Sequence, residues 1–363
     1  MPHSSLAFLL RKVFASIRKE EQNGPNQISD NSRRKFLKDA TLAAGGMALL
    51  PSIAKSLYFP GGDKARIVIV GAGMAGLNAA YQLKKHGLKS MVYEASARPG
   101  GRMFTLQDQF GQNITTDLGG EFVDSTHKEI IQLSQELNVE FYDLRRDNLS
   151  PKAFYFDGRH LNEEDLRNAI RPFTAQIEKD MRSLPEKINH NTASSFVHLD
   201  NQSICEYISG IGIKGWLYNF LNVVLTREYG MEASEQSAIN FLIMFADPSQ
   251  AGGDYELFGD DHEVLKIKGG SQHLTDQLYQ QVKEQVVLKQ KLSSISKDKS
   301  RGYELVFDND EGSKKVVADL VILAIPFSIL RKIRCEIDMP DEKRKCIDEL
   351  GYGNSGKFIM GMK

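Results

Sequence analysis

Four branched apolar residues in a row, Ile67 to Val70, begin the first strongly patterned stretch of this chain. A run with no polar alternation predicts a strand covered on both faces, as in a parallel sheet. Beyond a cluster of glycines the period changes. Leu77, Ala80, Tyr81 and Leu83 recur at helical spacing as far as Gly87, a suitable C-terminal stop. "KSMVYEA" then predicts a second strand ending at Glu94. From about residue 140 to 265 the pattern is helical: Leu166, Ile170, Phe173, Ile177, Met181 and Leu184 lie three or four apart, with Pro172 interrupting. "IKGWLYNFLNVVLTREYG" and "SEQSAINFLIMFAD" predict two more helices, and all these apolar stripes read as core. Strand-like runs return at Val286 to Ile295, Tyr303 to Phe307 and Lys315 to Val317, divided by turns at "KDKSRG" and "DNDEG". "ADLVILAIP" predicts another buried strand closed by Pro326. Near the end, "DEKRKCIDEL" predicts a helix and "KFIMGM" a strand with an exposed edge.

Composition adds little to this. The 363 residues are 41% hydrophobic and 26% charged with a formal net charge of −1, enough for a substantial core and no electrostatic case for nucleic acid. Cys205, Cys335 and Cys346 are widely spaced and odd in number. They read as buried free thiols rather than a metal site or disulfide framework.

Charge is unevenly placed. Residues 1 to 38 hold eight Lys or Arg against three acids, and a moderately apolar run comes next at 39 to 56. That order describes a secretory signal, removable after about Ser56, and the run is too short and too rich in Gly and Ala for a membrane span. "SRRKFLK", with Arg33 and Arg34, resembles the twin-arginine export signal, which carries folded proteins. The expectation is a bacterial periplasmic enzyme that takes up a cofactor before export. The acidic stretch Asp254, Glu256, Asp260, Asp261, His262 and Glu263 reads as a solvated loop; the alternative is a patch that steers a cation.

The glycines after the first strand carry the chemistry. Gly71-x-Gly73-x-x-Gly76 lies between strand and helix, and Glu94 comes 23 residues after Gly71. Gly71 permits the tight turn, Gly73 lets backbone approach a pyrophosphate, and Gly76 lets the helix pack closely. Met74 and Ala75 begin the helix, whose free N–H groups face phosphate. Glu94 would accept from an adenosine ribose. Together these predict an α/β chain with a Rossmann-like dinucleotide-binding domain, a β-meander and a mainly helical insertion.

The residues beyond Glu94 narrow the choice of dinucleotide. "EASARPGGRMFT" and then "DLGGEFVD" resemble the paired motifs of the flavin-containing amine oxidase family, the monoamine and L-amino-acid oxidases. The resemblance implies FAD as cofactor, with Arg102 meeting the pyrophosphate. It also implies that Gly119, Gly120, Glu121 and Phe122 lie along the isoalloxazine and that Val286 offers backbone to the adenine. "IKGGSQHLTDQL" resembles the family's return to the FAD domain. The implied organisation is an N-terminal extension at 1–56, FAD-binding parts at 62–138 and 266–335, a substrate domain at 139–265 and the start of its second segment at 336–363.

"GYGNSGKF", residues 351 to 358, is one residue short of a phosphate-binding P-loop, with Phe358 where a hydroxyl belongs. Its context, helix before and strand after, is the reverse of what a P-loop needs. The family resemblance instead makes Lys357 the lysine that holds a water beside flavin N5. The implied reaction is hydride transfer from an amine or L-amino acid α-carbon to that atom. It gives an imine and then a carbonyl, with O2 reduced to H2O2. Expected partners are the amine, O2 and the twin-arginine export machinery; a homodimer is left open. Two alternatives remain: another oxidoreductase of the superfamily, such as a carotenoid desaturase or a protoporphyrinogen oxidase, and an inactive remnant. Family members continue beyond this lysine, so the sequence is expected to be a fragment or a truncated product.

Overall fold

The computed structural model describes residues 65–146, 154–185, 188–189, 191–244, 263–298 and 302–361. The twin-arginine stretch and the acidic residues 254–262 lie outside the described residues.

The chain opens with β1 (Ile67–Val70), α1 (Met74–Lys85) and β2 (Ser90–Tyr93). A small sheet region comes next: β3 (Thr105–Gln107), β4 (Thr115–Asp117), β5 (Phe122–Val123), α2 (Lys128–Glu136) and β6 (Phe141–Asp143). A hairpin, β7 (Phe154–Phe156) and β8 (Arg159–Leu161), leads into a helical block. Its helices are α3 (Glu163–Ile170), α4 (Thr174–Ser183), α5 (Val197–Asp200), α6 (Ile204–Gly210), α7 (Gly215–Tyr229) and α8 (Ala238–Met244). The return runs through β9 (Leu265–Ile267), α9 (Gln272–Val282), β10 (Val286–Val287), β11 (Lys291–Lys297), β12 (Tyr303–Asn309) and β13 (Gly312–Ala318). It ends with β14 (Leu320–Leu323), α10 (Phe327–Leu330), β15 (Arg334–Glu336) and α11 (Asp341–Glu349).

The unbroken apolar run of β1 is explained by its place. It is an inner strand of a four-stranded parallel sheet ordered β10-β2-β1-β14. Ile69 and Val92 on one face pack with Leu77 and Ala80 of α1 and Leu274 and Leu278 of α9. Val68, Val70 and Tyr93 on the other face pack with Leu292, Leu305 and Phe307 of the second sheet, β13-β12-β11-β15. The Tyr93 and Phe307 rings stack at 4.4 Å. Helix, parallel sheet and meander thus form three layers, and both faces of β1 lose water.

The helical block has its own core, built on Leu166, Ile170, Ile177, Phe220, Leu221 and Phe241. Capping boxes start two of its helices, Asn162 with Asp165 and Ser203 with Glu206. Pro172 falls in a short 3₁₀ turn between α3 and α4, as its missing N–H requires.

Three expectations are corrected. The run from Val286 to Ile295 is not one strand. It breaks at Lys289, which takes φ 58°, so that β10 joins the parallel sheet and β11 starts the meander. "KFIMGM" forms no strand over its described residues, and Phe358 is 86% exposed. The cysteines are free, but Cys205 and Cys335 are half-buried and Cys346 is exposed.

Candidate functional site

The glycine turn sits at the carboxyl end of β1. Gly71 has φ 103°, its N–H donates to the Tyr93 carbonyl at 2.8 Å, and a Cβ there would lie 2.6 Å from the Ala324 carbonyl oxygen. No side chain of an L-residue fits that turn. A Cβ on Gly76 would lie 1.9 Å from the Gly71 carbonyl oxygen, so this glycine serves close helix packing. Gly73 differs. It is the N-cap of α1 with no side-chain cap, and a Cβ there would meet nothing nearer than the Gly101 Cα at 3.8 Å. The first turn, with Met74 and Ala75, carries no acid and receives no side-chain cap.

The segment from Glu94 to Thr105 wraps this turn. The Gly100 N–H donates to the Ala72 carbonyl at 2.8 Å, and the backbones of Gly73 and Gly101 pass in contact. Glu94 accepts from the Ala72 N–H at 2.7 Å and from the N–H and hydroxyl of Ser96, both at 2.8 Å. The two nearby arginines separate clearly. Arg98 is spent on structure: its guanidinium donates to the Pro99 and Gly101 carbonyls and lies 4.3 Å over the Phe104 ring. Arg102 is exposed, and its side chain has no partner among the described residues.

The "DLGG" turn lies against the same segment. Leu118 N–H donates to the Phe104 carbonyl at 2.8 Å and Gly120 N–H to the Arg102 carbonyl at 3.1 Å. A Cβ on Gly119 would lie 1.8 Å from the Arg102 carbonyl oxygen, whereas one on Gly120 would meet nothing within 4 Å. Asp117 anchors the turn from below. It is buried, and its Oδ1 accepts from the Thr105 hydroxyl at 2.5 Å and from the N–H and hydroxyl of Ser271 at 2.8 and 2.9 Å. Its Oδ2 is buried without a hydrogen-bond partner.

Lys357 arrives from the far end of the chain. Its ammonium donates to the Asp117 carbonyl at 2.9 Å, the Gly119 carbonyl at 3.0 Å and Glu121 Oε2 at 2.9 Å. An ammonium has three donors, and all three are used. Lys266 donates to the other oxygen of Glu121 at 2.6 Å and lies 5.9 Å over the Phe122 ring. Burial alone would raise the Glu121 carboxyl; the hydrogen bonds from Lys266 and Lys357 outweigh it and hold the group below the usual carboxylate range.

Gly71, Gly73, Met74, Ala75, Gly76, Glu94, Arg102, Gly119, Gly120, Glu121, Phe122 and Lys357 thus fall along one connected set of contacts. Val286 is on β10, an outer strand of the parallel sheet, directly before Val287, whose carbonyl accepts from the Glu94 N–H at 3.0 Å. Sequence reading missed Lys266 and Ser271, which meet the site only through the return of the chain. Thr105 and Asp117 carried a signal, because Thr105 closes the arginine motif and Asp117 opens the "DLGG" motif.

A family model described as flavin containing amine oxidoreductase matches residues 74–363. A probable flavin-containing monoamine oxidase A of Dictyostelium discoideum is 26% identical over 307 residues, 81% of this chain and 64% of that protein. An L-amino-acid oxidase of Bothrops moojeni is 24% identical over 322 residues, 85% of this chain and 61% of that protein. Among solved structures, wild-type putrescine oxidase bound to putrescine aligns with a TM-score of 0.63 at 20% identity, covering 80% of this chain and 64% of that one. Cyclohexylamine oxidase from Brevibacterium oxydans aligns at 0.62 with 18% identity, covering 78% and 62%. At such identity the structural likeness shows the fold. The chain spans about three fifths of the length of these proteins.

Proposed function

Since the chain belongs to the flavin-containing amine oxidoreductase family, we propose that it oxidises the C–N bond of a small amine or L-amino acid, with O2 as final acceptor and H2O2 as product. The supporting observation is the contact path from Gly73 through Gly101, Arg102 and Gly119 to Lys357.

FAD is the cofactor of this family, and the residues fit it. Gly120 leaves open space where a side chain would stand, and at Gly73 a Cβ would make no more than ordinary contact, 3.8 Å from the Gly101 Cα. The helix end is uncapped, and Arg102 is a cation with no partner among the described residues. Gly73, Met74, Ala75 and Gly76 would hold the pyrophosphate with Arg102. Glu94 already takes three of the roughly four donors a carboxylate accepts, which leaves one place for a ribose hydroxyl. Gly119 and Gly120, with Glu121 and Phe122, would border the redox ring, and Val286 would offer backbone to the adenine. When bound, FAD supplies the two-electron chemistry.

To hold a water at that ring, the Lys357 ammonium exchanges one of its three acceptors. Glu121 is the one it can leave, because Lys266 stays on the carboxylate and no buried charge is stranded. The substrate reacts as the neutral amine, whose nitrogen lone pair drives loss of hydride from the α-carbon. The rate of reduction therefore rises with pH through the pKa of the bound substrate.

The test is anaerobic titration of the FAD-loaded protein with amines and L-amino acids. The oxidised-flavin absorbance should bleach, return on admission of air with release of H2O2, and bleach at least about tenfold more slowly in Lys357→Met. Bleaching by none of these compounds sinks the reading. We also propose export by the twin-arginine route, supported by "SRRKFLK"; Arg33→Lys/Arg34→Lys should hold the protein in the cytoplasmic fraction.

A further inference from the structure

The segment 351–357 has no regular structure, yet it carries Lys357 to three defined acceptors. Its glycines explain how. At Gly353 a Cβ would lie 2.7 Å from the Tyr229 carbonyl oxygen and 3.1 Å from the Gly230 Cα. The segment therefore docks backbone against backbone on the end of α7, where Gly230 is the left-handed cap with φ 71°. The Asn354 N–H donates to the Gly230 carbonyl at 2.9 Å, satisfying one of the acceptors a helix end leaves open. Two further ties precede this contact. The Tyr352 hydroxyl accepts from the Phe327 N–H at 2.8 Å, and Arg331 donates to the Ile347 and Leu350 carbonyls.

We infer that the end of α7 is the positioning element for Lys357, and that Gly353 is its critical residue. The inference rests on the reading of Lys357 as a flavin-side group. From Asn354 to Lys357 the chain advances three residues, at most about 10 Å when extended. Such a tether cannot absorb a displacement at the docking point, so a shift at Gly353 passes to the ammonium. The helical block then sets the height of the ammonium over the "DLGG" turn, although the acceptors of that ammonium, on Asp117, Gly119 and Glu121, all lie outside the block. The glycines of "GYGNSGKF" serve docking, not phosphate.

Two alanine substitutions in the same segment separate this from a general loss of glycine. Gly353→Ala must push the segment off α7, whereas a Cβ on Gly356 meets nothing within 4 Å. The readout is competitive acetylation of the purified full chain with trace acetic anhydride, with Lys357 followed by peptide mass spectrometry against exposed Lys345. It needs no substrate, so its result is independent of the anaerobic titration. Gly353→Ala should raise Lys357 labelling about fivefold, the population change that accompanies one net hydrogen bond. Gly356→Ala should label as wild type. Wild-type labelling in folded Gly353→Ala, or an equal rise in Gly356→Ala, overturns the inference. Should Gly353→Ala not fold, Gly230→Ala tests the same contact from the α7 side. Its Cβ would lie 3.1 Å from the Gly353 Cα, a backbone atom that cannot swing aside, so Lys357 labelling should rise. Wild-type labelling in that variant overturns the inference equally.

Discussion

Adjacent glycines in the "DLGG" turn should fail in different ways when each becomes alanine. At Gly119 the new Cβ would lie 1.8 Å from the Arg102 carbonyl oxygen, 2.8 Å from its carbon and 3.2 Å from the Phe104 nitrogen. All three are backbone atoms, so no side chain can swing aside. The turn has to part from the Arg102–Phe104 segment. That breaks the bonds from Leu118 and Gly120 and disturbs the Lys357 bond to the Gly119 carbonyl. Two to three hydrogen bonds at about 1 kcal/mol each give a loss of roughly 2–3 kcal/mol. In a chain of this size, with an unfolding entropy of about 2.1 cal/mol/K per residue, that is a fall in Tm of roughly 3–4 °C. At Gly120 the Cβ meets nothing within 4 Å. Stability without cofactor should change by less than about 0.5 kcal/mol. The methyl does enter the space assigned to FAD, and overpacking of about 1–3 kcal/mol weakens Kd roughly 5- to 150-fold. Thermal unfolding by circular dichroism, without and with FAD, and flavin binding by fluorescence quenching measure both quantities. The reasoning fails if Gly119→Ala melts with the wild type, or if Gly120→Ala binds FAD with wild-type affinity.

Arg102→Ala should weaken FAD binding roughly ten- to hundredfold, the range for a hydrogen bond to a charged group, with little change in the apo melting temperature. Arg98→Ala should do the reverse, because that guanidinium holds the Pro99 and Gly101 carbonyls. Flavin titration and melting of both variants check the pair. The Glu121 carboxyl is held below its ordinary 4.5 in the folded chain. Its stabilisation is therefore complete above about pH 4.5 and is lost as pH falls through the lower folded value. Urea midpoints between pH 6 and 3 should fall less steeply in Glu121→Gln than in the wild type; equal slopes would contradict the paired-carboxylate picture.

The first half of the site was legible because it is local. Turn, helix start, carboxylate and arginine motif all lie between Gly71 and Thr105, and each arises from backbone geometry or charge at fixed spacing. Sequence alone could not sort Arg98 from Arg102, since the difference lies in which guanidinium reaches nearby carbonyls. Nor could it find Lys266 and Ser271, which meet Glu121 and Asp117 only across the return of the chain. The misread strands have local causes too. Lys289 turns left-handed, where its N–H donates to the Ser96 carbonyl, and this splits an apolar run that periodicity joins. "KFIM" has strand composition but no ladder partner among the described residues, and composition without a partner does not make a strand.

The neighbours of β1 impose a delay during synthesis. β2 emerges soon after it, but β14 pairs with it in the register Ile67 to Leu320. On a ribosome adding about 5–20 residues per second, the intervening stretch takes on the order of 10–50 s. Throughout that interval one rim of the strand behind the glycine turn stays unpaired and its apolar face open to water. The sheet behind the glycine turn is therefore complete only once the chain has been made through Leu323.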